Sequence, residues 1–139
     1  MKIRRIIMET LKELREKYHN LTEKRAAIYE KILKLEQQEI TNNFVIGECY
    51  FNPRSESFKK IISIDGGILY CMVIENKSIE RDFYFLIGIK YWRKITSEQF
   101  NDIYQAVLKD IQDPDLESKD ESNWDITLGA IKENMSINE

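Results

Sequence analysis

Between Ile7 and Leu35 an aliphatic residue returns at every seventh position: Ile7, Leu14, Leu21, Ile28 and Leu35. Leu11, Tyr18 and Ile32 each follow a member of that series by four residues. This is the a/d pattern of a heptad repeat, with Arg25 and Glu39 as its polar a residues. No Gly or Pro occurs in residues 1–40, so the pattern predicts one long amphipathic helix there. Glu13/Lys17 and Glu30/Lys34 have the Glu-before-Lys spacing that supports a helix. A helix of about 35 residues spans about 50 Å, so part of its stripe is expected to meet another chain.

The residues beside the stripe decide what that chain can be. Lys17, Lys24 and Lys31 occupy g positions, and Thr22, Tyr29 and Glu36 the matching e positions. In a parallel homodimer only Lys31 with Glu36 attracts, whereas an antiparallel one sets lysine against lysine. A heterologous partner with acidic flanks, or the chain's own acidic tail, satisfies these lysines better. A helix folded back on its own domain would need a break, for which His19-Asn20 is the candidate, but the heptad runs through it unchanged. His19 falls at a b position and should face solvent.

Charge divides the chain into three parts. Residues 1–40 carry a balance of +3, residues 41–109 of +1 and residues 110–139 of −7. The net charge of −3 supplies no global attraction for nucleic acid. The plain expectation for the tail is a solvated acidic segment. The resulting division is a coiled-coil-like helix at 1–40, a small β-rich domain with a closing helix at 41–111, and an acidic C-terminal segment at 112–139.

The middle region reads as strands. Residues 44–51 are mostly apolar, with Gly47 as an expected bulge. Residues 58–64 and 68–74 flank Asp65-Gly66-Gly67, a strong hairpin signal. Glu75-Asn76-Lys77-Ser78 reads as a turn. Residues 82–95 alternate, placing Phe83, Phe85, Ile87, Ile89, Tyr91 and Ile95 on one face and Tyr84, Leu86, Gly88, Lys90, Trp92 and Lys94 on the other. Short strands and tight turns predict a small curled antiparallel sheet of SH3-like kind. Thr96-Ser97-Glu98-Gln99 is a capping box opening a helix whose stripe is Phe100, Ile103, Tyr104, Val107, Leu108 and Ile111, ended by Asp113-Pro114. A last short helix is expected over 122–135, capped by Ser122, with Trp124, Leu128, Ile131 and Met135 on one side. The fold class is α+β.

Catalytic chemistry finds little to work with. His19 is the sole histidine, on the extended helix, and no Cys/His cluster could hold zinc. The five glycines make no phosphate loop. Carboxylate pairs such as Glu80/Asp82 and Asp113/Asp115 read as surface charge near turns. No enzyme, metal or cofactor is expected. Cys49 and Cys71 lie in apolar runs as buried thiols. No stretch approaches the roughly 20 apolar residues of a membrane span, and a cytosolic protein with reduced thiols is expected.

The candidate contact residues are therefore Leu14, Leu21, Arg25 and Ile28 on the helix, and Tyr91, Trp92 and Arg93 at the end of the alternating run. Arg54, Lys59, Lys60 and Arg81 lie near the latter, and aromatics among basic residues can stack bases and neutralise phosphates. That alternative, a nucleic-acid binder dimerised by its helix, is opposed by the acidic tail. If Trp92 instead packs inward, only ordinary surface lysines remain.

Gly47-Glu48-Cys49-Tyr50-Phe51 and Lys94-Ile95-Thr96-Ser97-Glu98-Gln99-Phe100 resemble a pattern in small proteins of bacteriophages and mobile elements. There a Gly-x-Cys/Tyr-Tyr/Phe strand opens a curled sheet, and Ile-Thr-x-Glu-x-Phe leads into a closing helix. The resemblance covers under half the chain. It implies that setting rather than a function; proteins of that setting commonly bind and block host machinery, for instance a defence nuclease of the CRISPR kind.

Overall fold

The structure, a computed structural model, describes residues 2–136; Met1 and the last three residues of the acidic segment lie outside them. It divides into two compact units, one ending at Gln38 and the other beginning at Glu39. The first helix, α1, spans Lys2–Asn43 without interruption at His19-Asn20. The Thr10 and Thr22 hydroxyls donate to the carbonyls of Ile6 and Tyr18, each at 2.9 Å, so these polar residues sit in the helix without breaking it. His19 is exposed, with its Nε2 3.1 Å from Glu23 Oε1. Among the described residues Glu13/Lys17 and Glu30/Lys34 do not close to ion-pair distance.

The second unit is built on a five-stranded antiparallel sheet. Its strands are β1 (Cys49–Asn52), β2 (Ser57–Asp65), β3 (Ile68–Glu75), β4 (Ser78–Tyr84) and β5 (Arg93–Ile95). The spatial order is β4-β3-β2-β1-β5. Two helices follow, α2 (Ser97–Gln112) and α3 (Asn123–Asn134). This is the expected α+β class. The sheet is open, because β4 and β5 form its two edges and do not pair with each other.

The Gly66-Gly67 turn forms as read, with both glycines at positive φ (57° and 79°), the geometry a two-residue hairpin loop demands. Two expectations for the strands change. The run 44–51 is a strand only from Cys49, because Gly47 turns at φ 94° between α1 and β1, and the Glu48 side chain accepts from the Val45 N–H at 2.6 Å. The register shift falls between Ile61 and Ser63 rather than at Gly47.

The run 82–95 is not one strand. β4 stops at Tyr84, a single 3₁₀ turn occupies Leu86–Ile89, and β5 starts at Arg93. The sheet order explains this: β4 and β5 lie at opposite edges, so the chain must leave the ladder and cross a face. The predicted faces change with it. Ile87 is 91% exposed, and Phe83 and Phe85 are exposed too. Tyr84, Leu86, Ile89 and Trp92 pack inward instead. Leu86, Ile89 and Trp92 recur every third residue, the repeat of a 3₁₀ turn rather than of a strand.

Both faces of the sheet are covered. On one, Phe51, Phe58, Ile74 and Ile95 meet Phe100, Ile103 and Val107 of α2 and Trp124, Leu128 and Ile131 of α3. On the other, Tyr50, Ile61, Leu69, Cys71 and Val73 meet Ile40 and Ile89. Coverage of both faces is why the strand sequences read as nearly continuous apolar runs. Cys49 and Cys71 are free buried thiols in the two different clusters. Burial raises both thiol pKa values, that of Cys71 to about 12.

The helix caps follow the sequence closely. Thr96 and Gln99 form the reciprocal capping box, at 3.0 and 2.9 Å. Ser122 and Asp125 form a second one for α3. On α2, Ile111 is exposed while Ala106 and Asp110 are buried, so the stripe is rotated from the expected one.

The acidic segment is a solvated tail only in part: residues 117–121 are exposed, whereas α3 is docked. Trp124, Leu128 and Ile131 are buried against the sheet and α2, with Met135 packed beside them. Asp110 fastens this arrangement. Its Oδ1 accepts from the backbone N–H and the side-chain amide of Asn123, at 2.9 and 3.1 Å. Its Oδ2 accepts from the Trp124 N–H at 2.8 Å. A carboxylate at a helix N-terminus meets the positive end of the helix dipole and satisfies donors the helix leaves over.

Candidate functional site

In the helical unit the heptad residues are exposed: Leu14 by 56%, Leu21 by 64% and Ile28 by 58%. Leu11, Tyr18, Ile32 and Leu35 extend the same stripe and are exposed as well. Arg25 interrupts it, also exposed. On either side of Arg25 the stripe runs along one unbroken helix, and large apolar side chains grouped in water are a common feature of association surfaces.

The basic-aromatic cluster does not assemble as a stacking platform. Trp92 turns inward, with its ring centroid 5.6 Å from Tyr50 and 4.9 Å from Tyr84. Its Nε1 is buried and has no acceptor among the described residues. Tyr91 is exposed, but the Arg54 guanidinium lies over its ring at 3.4 Å. Lys94 is paired with Glu48 at 2.5 Å, which holds that carboxyl below its ordinary pKa. Arg93 remains exposed on β5, an edge strand.

Lys59, read as part of that patch, is instead in the core, 2% exposed. It faces Tyr50 of β1 and Val73 of β3 on the covered face of the sheet. Its Nζ lies 5.5 Å from the ring centroids of both Tyr84 and Trp92, a cation–π geometry. The Nζ also donates to Ser57 Oγ, which is 2.6 Å from Ser55 Oγ. Burial pulls the ammonium pKa down from 10.5 to about 8, against the opposing pull of Glu75, Cys71 and Asp82. Ser57 is fully buried, so this amine–hydroxyl pair is closed to a substrate and serves as a polar element of the core. Sequence reasoning passed over it. The available signal was parity, since Lys59 shares a strand face with Ile61.

Lys59→Met should raise stability at pH 7 by about 2 kcal/mol, because a well-packed apolar side chain carries no desolvation cost. The charged form of Lys59 is disfavoured on folding. That penalty is complete below about pH 8 and fades as the pH rises towards 10.5. The gap between variant and wild type in urea unfolding should therefore narrow over that interval. Tyr50, Tyr84 and Cys71, whose pKa values burial raises, act on both proteins in the alkaline range. A variant less stable than wild type at pH 7 would show that the amine's contacts outweigh its desolvation.

Among the described residues no group of three or more His, Cys, Asp or Glu could hold a metal ion. No helix among them is long and apolar enough to cross a membrane. Compared with known protein families, with curated proteins and with solved structures, the chain matches none of them.

Proposed function

We propose that this chain is a binding protein without a catalytic centre, which captures a helical protein partner along the heptad stripe of α1. The observation that carries this reading is the exposure of Leu14, Leu21 and Ile28 along one uninterrupted helix. Apolar area of this kind is withdrawn from water only by association. The inward turn of Trp92, the Arg54–Tyr91 stack and the Lys94–Glu48 pair use up much of the surface that a nucleic-acid reading needs. The resemblance to phage and mobile-element proteins directs the partner search to host defence proteins, with the chain as their inhibitor.

The test is a tagged pull-down from bacterial lysate with wild type and Leu14→Asp, each split into nuclease-treated and untreated halves. A protein retained by wild type after nuclease treatment and lost with Leu14→Asp supports the reading. Bound nucleic acid, unaffected by the substitution, overturns it in favour of a nucleic-acid binder.

A further inference from the structure

We infer that the helix taken up by this stripe is α1 of a second copy, lying parallel and in register; this rests on the binding reading above. The ground is the period. A seven-residue repeat is 3.5 residues per turn, and on a straight helix of 3.6 it drifts by about 20° per heptad. Between Ile7 and Leu35 that amounts to roughly 80°, so the two ends of the stripe face different directions and a flat surface cannot follow its whole length. A second helix that supercoils with the first stays in contact throughout. To cover that stretch it must be about 42 Å long with the same repeat. A second α1 meets both conditions, being 42 residues long and carrying the same heptads.

Charge then sets the orientation of the two copies. In parallel register Lys17 meets Thr22 of the other copy, Lys24 meets Tyr29 and Lys31 meets Glu36, so no like charges face across the seam at g and e. The ammonium of Lys24 can lie over the Tyr29 ring. In the antiparallel arrangement Lys17, Lys24 and Lys31 would face one another. Among the described residues these three lysines make no ion pair within their own chain.

Arg25 is the element that opposes pairing. In register it lies opposite its own copy at an a position, a polar layer that marks the register at a cost in affinity. Two consequences follow. Arg25→Leu should tighten the dimer by about ten-fold or more, through the apolar area gained. Added salt should strengthen wild-type association, because it screens the Arg25 pair; phosphate binding has the opposite salt dependence.

The test uses two variants with one added cysteine each, Leu14→Cys and Ile28→Cys, which lie on the same face two heptads apart. Both positions are exposed, and Cys49 and Cys71 are buried away from oxidant. Each variant is oxidised alone and in a mixture, and wild type is weighed by light scattering across a salt series. The expected result is a mass of twice 16.6 kDa for wild type and a covalent dimer from each variant alone. Crosslinking only in the mixture means antiparallel pairing and overturns the inference. A monomer mass at every salt concentration also overturns it, yet leaves the binding reading standing if wild type still retains a protein that Leu14→Asp loses. A dimer that Leu14→Asp does not weaken would pair elsewhere and also overturns the inference, and the binding reading falls with it only where no retained protein is lost with Leu14→Asp.

Discussion

Leu21→Asp should dissociate the proposed α1 dimer. Leu21 is the middle member of the five-residue aliphatic series and is exposed in the single chain, so the substitution buries no charge within the chain itself. In the paired helices it would bury two unpaired carboxylates against each other. Breaking a buried contact in this way costs about 3–5 kcal/mol, upwards of about a hundred-fold in Kd. The mass in light scattering should fall to that of one chain, with the helical circular-dichroism signal weakened as α1 loses its partner. The unfolding of the sheet-containing unit, followed by tryptophan fluorescence, should keep its urea midpoint. An unchanged mass would reject this use of the seam.

The second large effect belongs to Asp110→Ala. The wild-type carboxylate is 2% exposed and accepts three hydrogen bonds from Asn123 and Trp124. Alanine would leave the two backbone N–H groups at the start of α3 without that acceptor, at a cost of about 3 kcal/mol. Asp110→Asn keeps the shape and one acceptor oxygen, and should cost about half as much. The readout is urea unfolding in a Trp92→Phe background, where Trp124 is the sole tryptophan. Trp124 packs edge-on to Phe58 at 5.6 Å, so release of α3 should change its emission before the sheet unfolds. A loss below about 0.5 kcal/mol, the range of ordinary surface substitutions, would show that apolar packing alone holds α3.

The two substitutions probe parts of the chain that were unequally legible in the sequence. The helical stripe was readable because a heptad is a local repetition: each residue's place follows from the one seven positions before it. The capping boxes at Thr96/Gln99 and Ser122/Asp125 were readable for a related reason, since both partners lie within one helical turn. The first reads as a complete box from Thr96 and Gln99; at Ser122 the sequence reading gives the cap without its Asp125 partner. The role of Asp110 was hidden, because its hydrogen-bond donors lie 13 and 14 residues away.

The run from Asp82 to Ile95 shows where local pattern stops deciding. Both parities carry large apolar residues, Phe83, Phe85 and Ile87 on one and Tyr84, Leu86 and Trp92 on the other, so alternation alone cannot say which set is buried. The answer came from topology: β5 pairs with β1 at the far side of the sheet, which forces a crossing that buries Ile89 and packs Leu86 and Trp92 inward beside it. Lys59 was misplaced by the same crossing, since the rings of Tyr84 and Trp92 close over a lysine that in the strand alone would reach solvent.

The long helix, the hairpin at Gly66-Gly67 and the two capped C-terminal helices are written in local sequence. Their signals are hydrophobic period, left-handed turn residues and side-chain caps, which act over a few residues. Three outcomes come from the assembled fold instead: which face of the crossing segment packs inward, the place of Lys59 in the core, and the docking of α3 through Trp124 and Asp110. Those outcomes depend on contacts between residues far apart in the chain, whose free energy exists only once the sheet has brought them together.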